Sequence, residues 1–121
     1  MGEINDLDIL RPKANIIKLG GEEIDISFIP NGITFEVDNL LRQINDTAAS
    51  VNELVGNEDK QKKAFDLSID LCVLFCSRKH KKLNKEFFMD EVTPVQIRPI
   101  VDGIKKALND SYEAVAKYGK N

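Results

Sequence analysis

Cys72, Cys76 and His80 recur every four residues in a 121-residue chain, a spacing that sets thiol and imidazole donors on one face of a helix. Zinc is the metal such donors would take. On a continuous helix, however, the outer two stand about 12 Å apart, and a closed structural site needs four ligands. The cysteines are therefore expected in the core as small apolar side chains. Asp66 and Asp70, set in the same apolar stretch, suggest a general acid–base pair. They fall instead on a polar stripe with Asp59, Lys63 and Ser77, the pattern of a solvated helix face. Gly20-Gly21 lacks the following helix and the Lys-Ser/Thr pair of a phosphate loop. His80 has no nucleophile placed beside it except Cys76, which sits in an apolar run. No catalytic residue, cofactor or metal ligand is assigned, and the chain reads as a non-enzyme.

Arg78-Lys79-His80-Lys81-Lys82, with Lys85 nearby, is the basic concentration of the sequence. Cations gather at helix C-termini, where carbonyls are unpaired, and that is its first reading. An acidic protein partner is the second and nucleic acid the third. A net charge of −3 and a pI near 5.2 weigh against nucleic acid. No aromatic residue interleaves with these bases, so a single-strand binding surface is unsupported.

The elements that must carry these residues follow from the apolar period. Residues 16–28 alternate as strands do. Aligning Leu19 with Ile24 and Ile17 with Ile26 puts all four on one face, with Phe28 continuing the row and Lys18 opposite Asp25. The turn is then Gly20-Gly21-Glu22-Glu23, either opened by Gly21 as a type II′ turn or four residues long. Two strands are marginal alone, so the hairpin must lie on helices or receive another strand at its edges. Pro30-Asn31-Gly32 turns the chain, and the period changes to that of a helix. Ile33, Val37, Leu40, Leu41, Ile44, Ala48, Val51 and Val55 form one stripe, stopped by Gly56. Asn57 caps a second, more apolar helix expected over 58–80 and central to the core. Asn84 caps a short helix, Lys85 to Glu91, presenting Phe87 and Phe88. Thr93-Pro94-Val95-Gln96 combines an N-cap Thr, a first-turn Pro and a Gln three residues after the cap. Ile97, Val101, Ile104, Leu108, Tyr112 and Val115 supply the stripe of this last helix, and Gly119 ends it. Pro99 implies a kink there, or a short first turn ahead of the main helix.

Composition bounds the rest. At 42% apolar and 31% charged residues the chain is expected to fold as one domain, 1–121, with 1–12 flexible, a hairpin over 13–32 and helices over 33–119. The fold class is α+β, mostly α, an N-terminal β-hairpin packed on a bundle of three to four helices. No apolar run approaches the roughly 20 residues of a membrane span. MGEINDLDIL lacks the basic and apolar regions of a signal peptide, and Asp6 stands where a myristoylation motif wants Ser or Thr. Two cysteines do not make a disulfide framework, so the expectation is a cytoplasmic, reduced protein without membrane contact.

The run Phe28-Ile29-Pro30-Asn31-Gly32-Ile33-Thr34-Phe35-Glu36, leading from a hairpin into a long helix, resembles the tail assembly chaperones of long-tailed phages and prophages. Thr93-Pro94-Val95-Gln96-Ile97 before a terminal helix is similar to the same group. The resemblance implies a non-virion assembly factor of the host cytoplasm that binds the helical tape measure protein and the tail tube protein. It brings no catalytic residues. Partner contacts are expected at Ile16, Lys18 and Asp25 of the hairpin and at Arg78, Lys79, Lys81 and Lys82, with a homo-oligomer as a further expectation. The alternative is a small helical DNA-linked regulator or adaptor using the basic residues 78–82.

Overall fold

The computed structural model describes residues 4, 6–47 and 56–118. Its first regular structure is a 3-10 turn, Leu7–Leu10, within the leading segment expected to be flexible; Asp6 caps it by accepting the Asp8 N–H at 3.1 Å. Two antiparallel strands follow, Ile16–Leu19 (β1) and Glu22–Asp25 (β2). Gly20 and Gly21 join them with φ of 58° and 82°. Positive φ at both central positions fits the two-residue type I′ turn, whose twist matches that of the strands.

The tight turn overrides the expected register. Ile17 faces Ile24 and Leu19 faces Glu22, so the pairing is displaced by two residues, and Lys18 stands opposite Glu23 instead of Asp25. Because the displacement is even, every side chain keeps its face. Leu19, Ile24 and Ile26 are buried and Ile17 packs against them. Phe28, expected to continue this row, is half-buried beneath the Arg11 guanidinium, which sits 4.4 Å from its ring centroid.

A second 3-10 turn, Asn31–Ile33, leads into helix α1, Thr34–Thr47. The Thr34 hydroxyl donates to the Pro30 carbonyl at 2.9 Å, tying the turn to the helix start. Ile33, Val37 and Leu41 are buried, with Leu40 and Ile44 packed against the core. The remaining stripe positions, Ala48, Val51 and Val55, lie outside the described residues. Asn57 caps α2, Glu58–Cys76, by accepting the Lys60 N–H at 3.0 Å. Its Ile69, Leu71, Cys72, Phe75 and Cys76 are buried, and it packs against α1 and both later helices, which makes it the centre of the core as its composition implied.

Helix α2 stops at Cys76 rather than continuing to 80. His80 is therefore off the helix, and the expected face of Cys72, Cys76 and His80 does not form. Residues 77–83 leave as turns, held by the Leu83 N–H to the His80 carbonyl at 2.9 Å. Asn84 then caps α3, Lys85–Glu91, through the Phe87 N–H at 2.9 Å. Phe88 is fully buried and meets Phe87 edge-on, with ring centroids 5.9 Å apart.

The last helix, α4, runs Pro94–Tyr118 as one element through Pro99, so no separate first turn precedes it. The Gln96 side chain reaches back to the Thr93 N–H at 2.8 Å, the return half of a capping box. Pro99 is the sixth helical residue and removes a single early hydrogen bond, while buried Ile97 and Ile100 hold the chain on either side. Two glycines let the hairpin lie on these helices. A side chain at Gly103 of α4 would collide with Ile26, and one at Gly20 would come within 2.6 Å of the Phe87 ring of α3. Among the described residues the architecture is α+β and mostly helical, a two-stranded hairpin laid over four helices.

Candidate functional site

Opposite charge folds the basic run onto the hairpin. Lys82 Nζ lies 2.9 Å from Glu22 Oε1 and donates to the Gly20 carbonyl at 2.9 Å. His80 Nδ1 lies 3.0 Å from Glu22 Oε2, and its Nε2 lies 3.1 Å from the Glu23 carbonyl. Both ring nitrogens thus face acceptors, and only the imidazolium donates to the two at once. The hydrogen bond and charge of Lys82 hold the Glu22 carboxyl below the usual carboxylate range. The basic residues follow the end of α2 and are not a cluster on its last turn: Lys82 is spent on the turn of the hairpin. Arg78, Lys79 and Lys81 make no ion pair among the described residues.

Asp25 is occupied in the fold. Its Oδ1 accepts the Ser27 N–H at 2.9 Å and the Asn15 N–H at 3.1 Å, which fixes the open end of the hairpin. Burial pushes this carboxyl up, but hydrogen bonding from Ser27 and Asn15, with the Arg11 charge nearby, outweighs it and holds the group below its ordinary value. The Ser27 hydroxyl itself has no partner of good geometry among the described residues, so the backbone N–H groups carry the effect. Asp25, Arg78 and Lys79 meet around a hollow of about 50 Å³ floored by Phe75 and Cys76. Ile16 and Lys18 are not part of it; both are exposed on β1.

The outward groups of the hairpin follow from its ladder. Ile26 N–H donates to the Asn15 carbonyl at 2.9 Å, which makes 15/26, 17/24 and 19/22 the hydrogen-bonded pairs. The backbone groups of Ile16 and Lys18 on β1, and of Glu23 and Asp25 on β2, therefore point away from the hairpin. On β2 the Glu23 carbonyl is taken by His80. On β1 no hydrogen bond from another described residue reaches Ile16 or Lys18 from outside the ladder.

One concavity went unforeseen. A groove of about 440 Å³ opens between the last turns of α4 and the chain before and after the hairpin. Ala107, Ala114, Val115 and Tyr118 form one wall; Leu10, Pro12, Phe28 and Ile29 form the other. Tyr112 and Val115, expected in the buried stripe, are 51% and 69% exposed. Beyond Leu108 every described residue of α4 is exposed. Tyr112 is anchored instead by its hydroxyl, which donates to Asp38 of α1 at 3.1 Å. Sequence length carried no signal of this, because the expected span of α2, 58–80, nearly matches α4, and α4 outruns its central neighbour only because α2 stops at Cys76.

Cys72 and Cys76 are buried free thiols. Burial pushes Cys76 up to about 12 and Cys72 higher still, so neither is a thiolate at neutral pH. Asp66 is exposed, and Asp70 pairs with Lys85 at 3.3 Å, which joins α2 to α3. Among the described residues no three His, Cys, Asp or Glu side chains converge as metal ligands, and no helix is long and apolar enough to cross a membrane. Comparison with protein-family models, curated proteins and solved structures gave no match.

Proposed function

We propose that the protein is a non-catalytic tail assembly chaperone of the long-tailed phage type, acting in the bacterial cytoplasm. It would shield apolar helical segments of a tape measure protein until tail tube subunits enclose them. The carrying observation is the apolar groove along the end of α4, where Val115 and Tyr118 stand exposed beside Leu10 and Phe28. A groove between a helix and an extended segment suits the apolar stripe of an amphipathic helix, which engages through residues at i, i+3, i+4 and i+7. The Pro30-Asn31-Gly32 and Thr93-Pro94-Val95-Gln96 motifs behind the resemblance build the starts of α1 and α4, the two helices that Tyr112 and Asp38 join.

The test is co-expression with overlapping helical segments of the tape measure protein. Val115→Asp should reduce recovery of the bound segment at least tenfold, the expected consequence of a charge buried against an apolar client. The Arg78→Ala, Lys79→Ala and Lys81→Ala triple variant should leave it unchanged. Retention by Val115→Asp together with loss in the triple variant would move the client site to the basic turns and refute the groove reading.

A further inference from the structure

We propose that the outer edge of β1 is a second binding site, which receives an extended acidic peptide strand by β-addition. This goes beyond the helical client of the α4 groove and uses a different face of the molecule. Backbone geometry supplies the docking groups. The N–H and C=O of Ile16 and Lys18 point away from the ladder and are bonded to nothing among the described residues. Ile16 is 53% exposed, so the edge is open to solvent. The opposite edge is obstructed, because His80 occupies the outward carbonyl of Glu23 and Lys82 holds the neighbouring Gly20 carbonyl of the turn. Among the described residues the β1 edge is therefore the more open of the two.

Charge selects the occupant. Residues 11–19 contain Arg11, Lys13 and Lys18 and no carboxylate, although the whole chain carries −3. Arg11 lies over Phe28, while Lys13 and Lys18 make no ion pair among the described residues. An incoming strand places alternate residues beside Lys18 on the outer face and beside half-buried Ile17 on the inner face. Acidic residues alternating with aliphatic ones satisfy both. A second copy of the chain is the poorer occupant. Pairing two β1 edges sets two copies of Lys18 on adjacent short strands, each with Lys13 just ahead of it and no carboxylate on either β1 to offset them, and like charges across strands are unfavourable. Lysines on an edge commonly guard it against its own kind; here they also leave it selective for an acidic strand.

The experiment is an amide-resolved NMR titration of the full chain with a capped seven-residue peptide alternating glutamate and valine. A peptide with lysine in place of glutamate is the control. The expected result is saturable shifts at the Ile16 and Lys18 amides, with the lysine peptide at least about tenfold weaker. Ile16→Pro removes an outward donor without touching a ladder pair, and should weaken binding about fivefold, the equivalent of one hydrogen bond. Lys18→Glu is the second variant, independent of any strain from proline, and should weaken it further. Val115→Asp should bind the acidic peptide as wild type does, so failure of the groove reading and failure of this one are separable. Equal binding of both peptides, shifts confined to α4, or no shift at millimolar peptide would each overturn the proposal. So would shifts at Ile16 and Lys18 that grow with protein concentration alone, which would assign the edge to a second copy.

Discussion

Gly103 and Asp25 show how single atoms set the position of the hairpin. Gly in a helix interior ordinarily costs about 1 kcal/mol relative to Ala, so Gly103→Ala on a bare helix would be stabilising. Here the added methyl collides with the end of Ile26. Overpacking usually costs about 1–3 kcal/mol, so after the helix gain the substitution is expected to destabilise by up to about 2 kcal/mol instead of stabilising. Ile26→Val removes the Cδ1 that the methyl meets, so denaturant melts of the double variant should show recovery of most of that loss. Strict additivity of the two effects would mean that the helix and hairpin do not press together at this point. Asp25 governs the acid limb. Its carboxyl is held below its unfolded value, so its contribution is present at pH above about 4 and is lost as pH falls through the lower folded value. Asp25→Asn should therefore lower stability at pH 7 and converge with wild type at strongly acid pH. Glu22, depressed in the same direction by Lys82, would leave the variant some acid sensitivity. A constant difference between the two proteins from pH 7 to pH 2 would contradict this assignment.

At the scale of elements, the central position of α2 predicts its sensitivities. Leu71 is fully buried and Phe75 nearly so; either changed to Ala should cost about 2–5 kcal/mol in chemical denaturation. Cys72 and Cys76 share that interior, and their thiols should react with a disulfide reagent only at the rate of opening, becoming fast in denaturant. Fast labelling in native buffer would place the two cysteines outside the core. Much of this level was legible in the sequence where the signal is local. The caps at Asn57 and Asn84 and the return of Gln96 to the Thr93 N–H each act within three residues and formed where their residue types required, while the Thr93 hydroxyl donates to Gln96 Oε1 instead of capping the helix. The register of the hairpin was not legible in the same way. Both closures keep Ile17, Leu19, Ile24 and Ile26 on one face, so apolar alternation cannot choose between them, and the backbone twist at Gly20-Gly21 decides. Nor was the end of α2, because the residues that draw 80–82 away from a helical path are Gly20, Glu22 and Glu23, some sixty positions earlier. The periodicity of α4 was read correctly as amphipathic. Period reports which side of a helix is apolar, not which neighbour covers it, and so Tyr112 and Val115 were assigned to a core that ends at Leu108.

The whole molecule separates a packed body from surfaces that it leaves uncovered. The body is the cluster running from Leu19 to Leu108; the end of α4 and the outer edge of β1 are among the described surfaces left uncovered. Because Val115 is exposed, Val115→Asp should shift stability by less than about 0.5 kcal/mol while abolishing capture of a helical client. A melting transition displaced well beyond that would show instead that this end of the helix belongs to the body. The contacts that seat the hairpin also impose an order of events on synthesis. Gly20 meets Lys82 across 62 residues, and Ile26 meets Gly103 later still. Translation at about 5–20 residues per second separates the emergence of Gly20 from that of Lys82 by about 3–12 s. Through that interval the nascent hairpin has none of the helices it will rest on, and two strands alone are marginal in water. The hairpin is thus made before the helices that secure it, and the ribosome-bound chain spends seconds with both strand edges open.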